Sequence, residues 1–264
     1  MADQSSIPAA QADYARPDVR LIDIADIRDA LRSGLDDFKA MPTHLAFLCL
    51  IYPIVTLVFA RLYAGYEVLP LVFPLLAGYT LIGPLVAIGM YELSRRREQG
   101  LNISRVHAFA VFRFPSFRSI AILGILLMVI YFVWLAVAQT IYRLNFGDAV
   151  PGSVGEFASQ VFTTGEGWTL IFVGTWAGFL FAVVVFALSV VSFPILLDRN
   201  VGVIVAVQTS VRAVIANPVT MGIWGFIVAA LLFLGSLPFF VGLAVALPVL
   251  GHATWHLYRK VVAH

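Results

Sequence analysis

The stretch LPLVFPLLAGYTLIGPLVAIGMYELSRRR, Leu69 to Arg97, decides how the rest of the chain has to be read. It has no charged residue before Glu92, and at about 1.5 Å per residue a helix of that length exceeds the roughly 30 Å hydrocarbon core of a bilayer. Arg95, Arg96 and Arg97 then close it with the cationic cluster that marks the cytoplasmic end of a span. The remainder agrees: 61% of the 264 residues are hydrophobic and 12% are charged, far from the soluble globular range. The chain reads as a multipass membrane protein.

A formal net charge of +2 gives no basis for nucleic acid as a partner; membrane lipids and other membrane proteins are the partners expected. Cys49 stands alone in an apolar run, which rules out a disulfide framework or a thiolate metal site within one chain. The first forty residues are polar and contain no apolar leader, so the first span is expected to direct insertion itself.

Residues 1–22 are expected to be a mobile cytoplasmic tail. From Asp23 the periodicity becomes helical, with Ile24, Ile27, Leu31, Leu35 and Phe38 on one stripe opposite Asp26, Arg28, Asp29, Arg32, Asp36 and Asp37. The many aspartates suit this helix to docking on protein better than to adsorbing on anionic lipid. Pro42 ends it, and a first span runs from His44 to about Ala60. Arg61, Tyr63, Tyr66 and Glu67 form a short interfacial turn before the second span. Residues 98–118 alternate basic and aromatic positions, including Arg105, His107, Arg113 and Arg118, as a headgroup segment would.

The third span covers about Ser119 to Tyr142, and the acidic, glycine-punctuated residues 143–167 form an external loop with one short helix around Gly155 to Phe162. The fourth span, about Trp168 to Leu197, carries Gly174 and Gly178 at the spacing that lets a neighbouring helix approach closely. Ile204, Val207, Val211 and Val214 make a second amphipathic stripe. The block Thr220 to Tyr258, broken at Gly235, Ser236 and Pro238, supplies the fifth and sixth spans. Fifteen of the seventeen Lys and Arg fall on the segments this topology places in the cytoplasm, which puts both termini there, in a bacterial inner membrane.

Three times the chain presents an interfacial segment, a proline (Pro42, Pro115, Pro218) and a two-span hairpin. The fold expected is therefore all-α: six transmembrane helices as three interfacial-helix-plus-hairpin units, covering 23–97, 98–199 and 200–264. The segments DVRLIDIADIRDALRSGLDDFKAMP, FPLLAGYTLIGPLVAIGMYELSRRREQG and SFPILLDRNVGVIVAVQTSVRAVIANP resemble the signature blocks of an uncharacterised bacterial integral-membrane family, over nearly the whole chain. Some of its members are automatically labelled cytochrome c oxidase subunits, and the family brings no catalytic residues to carry over. The catalytic subunit of a haem-copper oxidase, as that family is known, needs six histidines within helices. Five histidines in all exclude that chemistry here and leave an accessory or assembly role open.

His252 and His256, at i and i+4, lie on one helix face and are either metal or haem ligands or interface residues beside Trp255 and Tyr258. Glu92 either pairs with the basic cluster or with His256, its repeat equivalent, or is simply neutralised by Arg95 or Arg96. Arg95, Arg96, Arg97, Arg105, Arg113 and Arg118 are candidate contacts for anionic lipid or an acidic partner, against plain positive-inside charge distribution. Pro84, Pro194 and Pro248 lie inside spans and are expected to kink them.

No P-loop, dinucleotide fingerprint, metalloprotease motif or nucleophile with a base appears, so no enzyme and no cofactor are expected. The leading expectation is an accessory or scaffold protein that docks on other membrane proteins, with Leu31 and Leu35 of the amphipathic helix among its contacts. A carrier of lipid or a small apolar substrate is the alternative, and a haem or metal chaperone the third.

Overall fold

The computed structural model describes residues 17–41, 66–102, 114–238 and 240–263. The expectations for the tail, for the first span with Pro42, His44 and Cys49, and for Arg105, His107 and Arg113 fall outside those residues. The described residues form α1 (Ile24–Ala40), a 3-10 segment (Tyr66–Leu71), α2 (Val72–Glu98), α3 (Phe117–Phe146), α4 (Val154–Thr163), α5 (Gly165–Ser189), α6 (Ser192–Asp198), α7 (Val203–Ala216), α8 (Pro218–Ser236) and α9 (Leu243–Val261). Strand pairing among them is limited to one isolated bridge, Val19 with Val262. The fold is all-helical. Among the described residues, three stretches are each long and apolar enough to cross a membrane: Phe117–Phe146, Gly165–Asp198 and Pro218–Ser236.

The chain divides into two compact units. One comprises residues 1–45, 84–124 and 187–264; the other comprises 46–83 and 125–186. In the first, α1 starts at a reciprocal capping box, Asp23 accepting from the Asp26 amide while Asp26 accepts from the Asp23 amide. It then runs antiparallel along α9, since Val19 pairs with Val262, Asp26 meets Lys260 and Gly34 lies on Ala253. A Cβ on Gly34 would stand 2.6 Å from the Ala253 backbone nitrogen, so the two backbones touch and only glycine fits.

This contact fixes which face of α1 packs within the chain. Its buried residues are Ile27, Ala30, Gly34 and Asp37, whereas Ile24 and Leu35 of the aliphatic stripe are exposed and Leu31 is half-buried. The packed face is rotated by roughly 80° from that stripe, at 100° per residue. Small residues won the interface because they bring backbones together, and bulky aliphatics gain nothing by hiding from an apolar solvent. In α7 the same substitution of faces occurs: Ala206, Thr209, Ser210 and Ala213 are buried while Ile204 and Ile215 are outside.

Pro194 marks a break rather than a bend within one helix. α5 stops at Ser189 and α6 begins at Ser192, because a proline there cannot donate to the preceding turn. The Val191 amide next to that break is satisfied by Ser210 Oγ at 3.1 Å. Pro218 occupies the start of α8, where its missing N–H costs nothing. α8 ends at Ser236, where the glycine and proline signals predicted a break, and the hairpin into α9 is tight enough that a Cβ on Gly242 would lie 2.7 Å from the Gly235 Cα. Pro248 lies inside α9 and is buried, and Pro84 stands within the length of α2.

In the second unit the Trp134 ring packs on Gly178, where a Cβ would come within 3.2 Å of it, and the indole donates to the Pro74 carbonyl at 3.3 Å. Gly178 thus takes a close approach from within the chain; Gly174 has no atom within 4 Å of where its Cβ would be, among the described residues. The expected short helix of the loop forms as α4, capped by Ser153 Oγ accepting from the Glu156 amide, and Phe157 packs near Tyr142 at 6.3 Å between ring centroids.

Candidate functional site

The polar residues of the first unit converge where α1, the end of α2 and the second half of α9 meet. α9 is buried along most of its length, from Leu243 to Val261, and carries His252, Trp255, His256, Tyr258, Arg259 and Lys260. Its centre of attraction is Asp37. Ser94 Oγ donates to Asp37 Oδ2 at 2.5 Å, His256 Nε2 lies 2.8 Å from the same oxygen, and Arg97 donates to Oδ1 at 2.6 Å. His252 Nδ1 lies 2.8 Å from Ser94 Oγ and 3.9 Å from the carboxylate. Since the single hydroxyl hydrogen of Ser94 goes to Asp37, Nδ1 of His252 must be the donor to Oγ. Its Nε2 has no hydrogen-bond partner among the described residues.

Burial works against ionisation of Asp37, but the hydrogen bonds from His256 and Ser94 and the nearby imidazoles outweigh it and hold the carboxyl below its ordinary range. The carboxylate is therefore the charged, structural anchor of the cluster. Two further anchors lie on the same helices. Glu92, fully buried, accepts Arg95 Nε on one oxygen at 2.8 Å and Arg96 Nε on the other at 2.7 Å, while the Arg95 guanidinium sits 5.2 Å from the Phe114 ring centroid. Lys260 reaches Asp26 at 3.0 Å and Asp29 at 3.4 Å; the Asp26 hydrogen bond is the main reason its ammonium is held above its ordinary value.

Around these, Trp255 Nε1 and Arg259 Nε donate to the two oxygens of Glu98 at 3.1 and 2.9 Å, and Tyr258 donates to Asp198 at 2.7 Å. Asn217 closes the far side: its Oδ1 accepts from the Ile22 amide at 2.8 Å and its Nδ2 donates to the Arg20 carbonyl at 3.1 Å. Segments 17–37, 92–98, 198–199, 217–220 and 252–263, separate in sequence, are thereby clamped together.

The expected site residues are distributed unevenly over this arrangement. His252 and His256 share a face, with Nδ1 of the first at Ser94 and Nε2 of the second at Asp37. Among the described residues no group of three His, Cys, Asp or Glu is placed to hold a metal. Glu92 pairs with Arg95 and Arg96 together, and His256 belongs to Asp37 instead. Arg95, Arg96 and Arg97, expected as lipid or partner contacts, spend their charge inside the chain; Arg118 is exposed.

Ser94, His252 and Asp37 supply the residue types of a hydrolytic triad in an order that does not serve hydrolysis. Serine lies between carboxylate and imidazole and is fully buried, so it gives its proton to Asp37 and presents no nucleophile. Sequence reasoning missed Asp37, Ser94, Glu98 and Asp198. The signal for Asp37 was present in Ala30 and Gly34, a small-xxx-small pair whose face continues to Asp37 one turn on.

No curated protein and no solved structure matches the chain. A family model described as "Predicted integral membrane protein (DUF2189)" does match residues 72–198, from the start of α2 to the end of α6. The chain is an integral membrane protein, and the match falls on the uncharacterised multipass membrane family that its sequence resembles.

Proposed function

We propose that the chain is a non-enzymatic accessory or scaffold protein that docks on other membrane proteins through its spans, with both termini on the cytoplasmic side. The observation that carries this reading is the aromatic ridge of α5. Trp168, Phe172, Trp176 and Phe179 recur at steps of four and three on one exposed face, and Trp176 meets both phenylalanines edge to face, at 6.3 and 5.9 Å between centroids.

Tryptophan facing lipid favours the interfacial belt, and Trp176 stands about 17 Å along α5 from its first residue, where acyl chains offer its indole N–H no acceptor. A helix of another protein offers one. Two features support the absence of catalysis: the carboxylates Asp37, Glu92 and Glu98 are each bound by donors of the chain itself, and the serine of the cluster is buried. The cytoplasmic placement is supported by the ion-paired clamp, which gathers the segments richest in Lys and Arg at common ends of α2, α6 and α9.

The test is a photo-crosslinking residue, p-benzoylphenylalanine, in place of Trp176 in native membranes. Reproducible attachment to a second membrane protein, weakened by Phe172→Ala and Phe179→Ala, is the expected result. Attachment to lipid alone would remove the reading.

A further inference from the structure

The orientation of α1 leaves a second surface whose chemistry is not that of the packed side. Inward, its acidic residues are largely spent: Asp26 and Asp29 on Lys260, Asp37 on Arg97, His256 and Ser94, and Asp23 on the capping box. Outward, Leu21 (81% exposed), Ile24 (59%) and Leu35 (40%) stand clear with half-exposed Leu31. Arg28, Lys39 and Arg32 follow that stripe within roughly 40° of arc, counted at 100° per residue. All three are exposed and make no ion pair with a described residue. Next to the stripe the exposed charges are these three cations, and the nearest carboxylate, exposed Asp36, lies about 40° beyond Arg32.

The depth of that face follows from the ion pairs. Arg97 and Lys260 end α2 and α9, where an apolar run passes into a cationic one, and such ends lie at the headgroup layer. Asp37 and Asp26 tie the two ends of α1 to these cations, so the stripe is held at headgroup level, beside the lipid that an integral membrane protein already contacts. We propose that the outer face of α1 is a binding surface for anionic lipid: the stripe Leu21, Ile24, Leu31 and Leu35 enters the acyl boundary and Arg28, Arg32 and Lys39 meet the headgroup phosphates. The complementarity selects this occupant. A protein helix would satisfy the stripe, but the basic row beside it matches a leaflet that carries negative charge.

The experiment uses the full chain in nanodiscs, with Cys49→Ala and a bimane fluorophore on Leu35→Cys. Quenching by brominated phosphatidylglycerol is compared with quenching by brominated phosphatidylcholine at equal bromine content. Both lipids quench, and the anionic one does so about twofold or more strongly; R28Q/R32Q/K39Q, changes confined to exposed side chains, bring the two to equality. Equal quenching in the parent protein, or a preference that survives the triple variant, would overturn the proposal. So would a fluorophore that neither lipid reaches, the result expected if a second copy or a partner covers the stripe. The same label on Leu21→Cys, the most exposed of the four, repeats the reading should Leu35→Cys disturb folding.

Discussion

Helices α9 and α5 are of similar length and opposite fate. α9 carries two histidines, an arginine and a lysine, and is buried along most of its length; α5 has no charge after Glu166 and turns Trp168, Phe172, Trp176 and Phe179 outward. In water the second would be the core and the first the surface. Lipid weakens the incentive to hide apolar side chains, so small residues that let backbones touch and polar groups that must be hydrogen-bonded also take places inside, beside large apolar ones such as Phe193 and Trp224. α1 and α7 show this on a smaller scale, each burying alanine and small or polar residues while Ile24 and Leu35, and Ile204 and Ile215, stay outside; Ile27 of α1 is the aliphatic that packs inward.

Breaking the polar interior should cost most at Glu92. Glu92→Gln removes the charge shared by Arg95 and Arg96 and should lower stability by about 3 kcal/mol, the low end for a buried ion pair that loses one partner because both arginines keep some exposure, read as an earlier unfolding midpoint in one detergent. A smaller effect is expected from pH. The Asp37 carboxyl is held below its ordinary range when folded, so its contribution is complete above the unfolded value near 4 and is lost as pH falls through the folded one. Unfolding midpoints followed from neutrality to about pH 3 should decline, and Asp37→Asn should flatten that decline while lowering the plateau. A flat profile in the parent protein would mean that Asp37 does not anchor the cluster.

The long elements were legible in the sequence because hydropathy and breaker residues act locally. Phe117–Phe146, the interruption near Pro194 and the stop at Ser236 stand close to where the apolar runs, prolines and glycines predicted them. Which face of each helix turns inward was not legible by the same reasoning. The stripe of Ile24, Leu31 and Leu35 was read as a docking surface and Asp37 as part of the opposite polar face; within the chain it is Asp37, with Ile27, Ala30 and Gly34, that is packed, and Ile24 and Leu35 stay exposed. Glu92 was readable, since its partners are one turn away; for Asp37 only the small-residue face that it continues was readable, not its partners His256 and Arg97, which lie 219 and 60 residues away.

The most direct measurement compares the same substitution on the two sides of this contrast. Trp255, fully buried on α9 and bonded to Glu98, and Trp176, 54% exposed on α5, are each changed to alanine and unfolded in one detergent. Trp255→Ala should cost about 3–5 kcal/mol, the range for truncating a buried aromatic, and Trp176→Ala about 0.5 kcal/mol or less, as for a surface change. Equal losses, or a larger loss at Trp176, would contradict the assignment of a packed, hydrogen-bonded α9 and an outward aromatic face on α5.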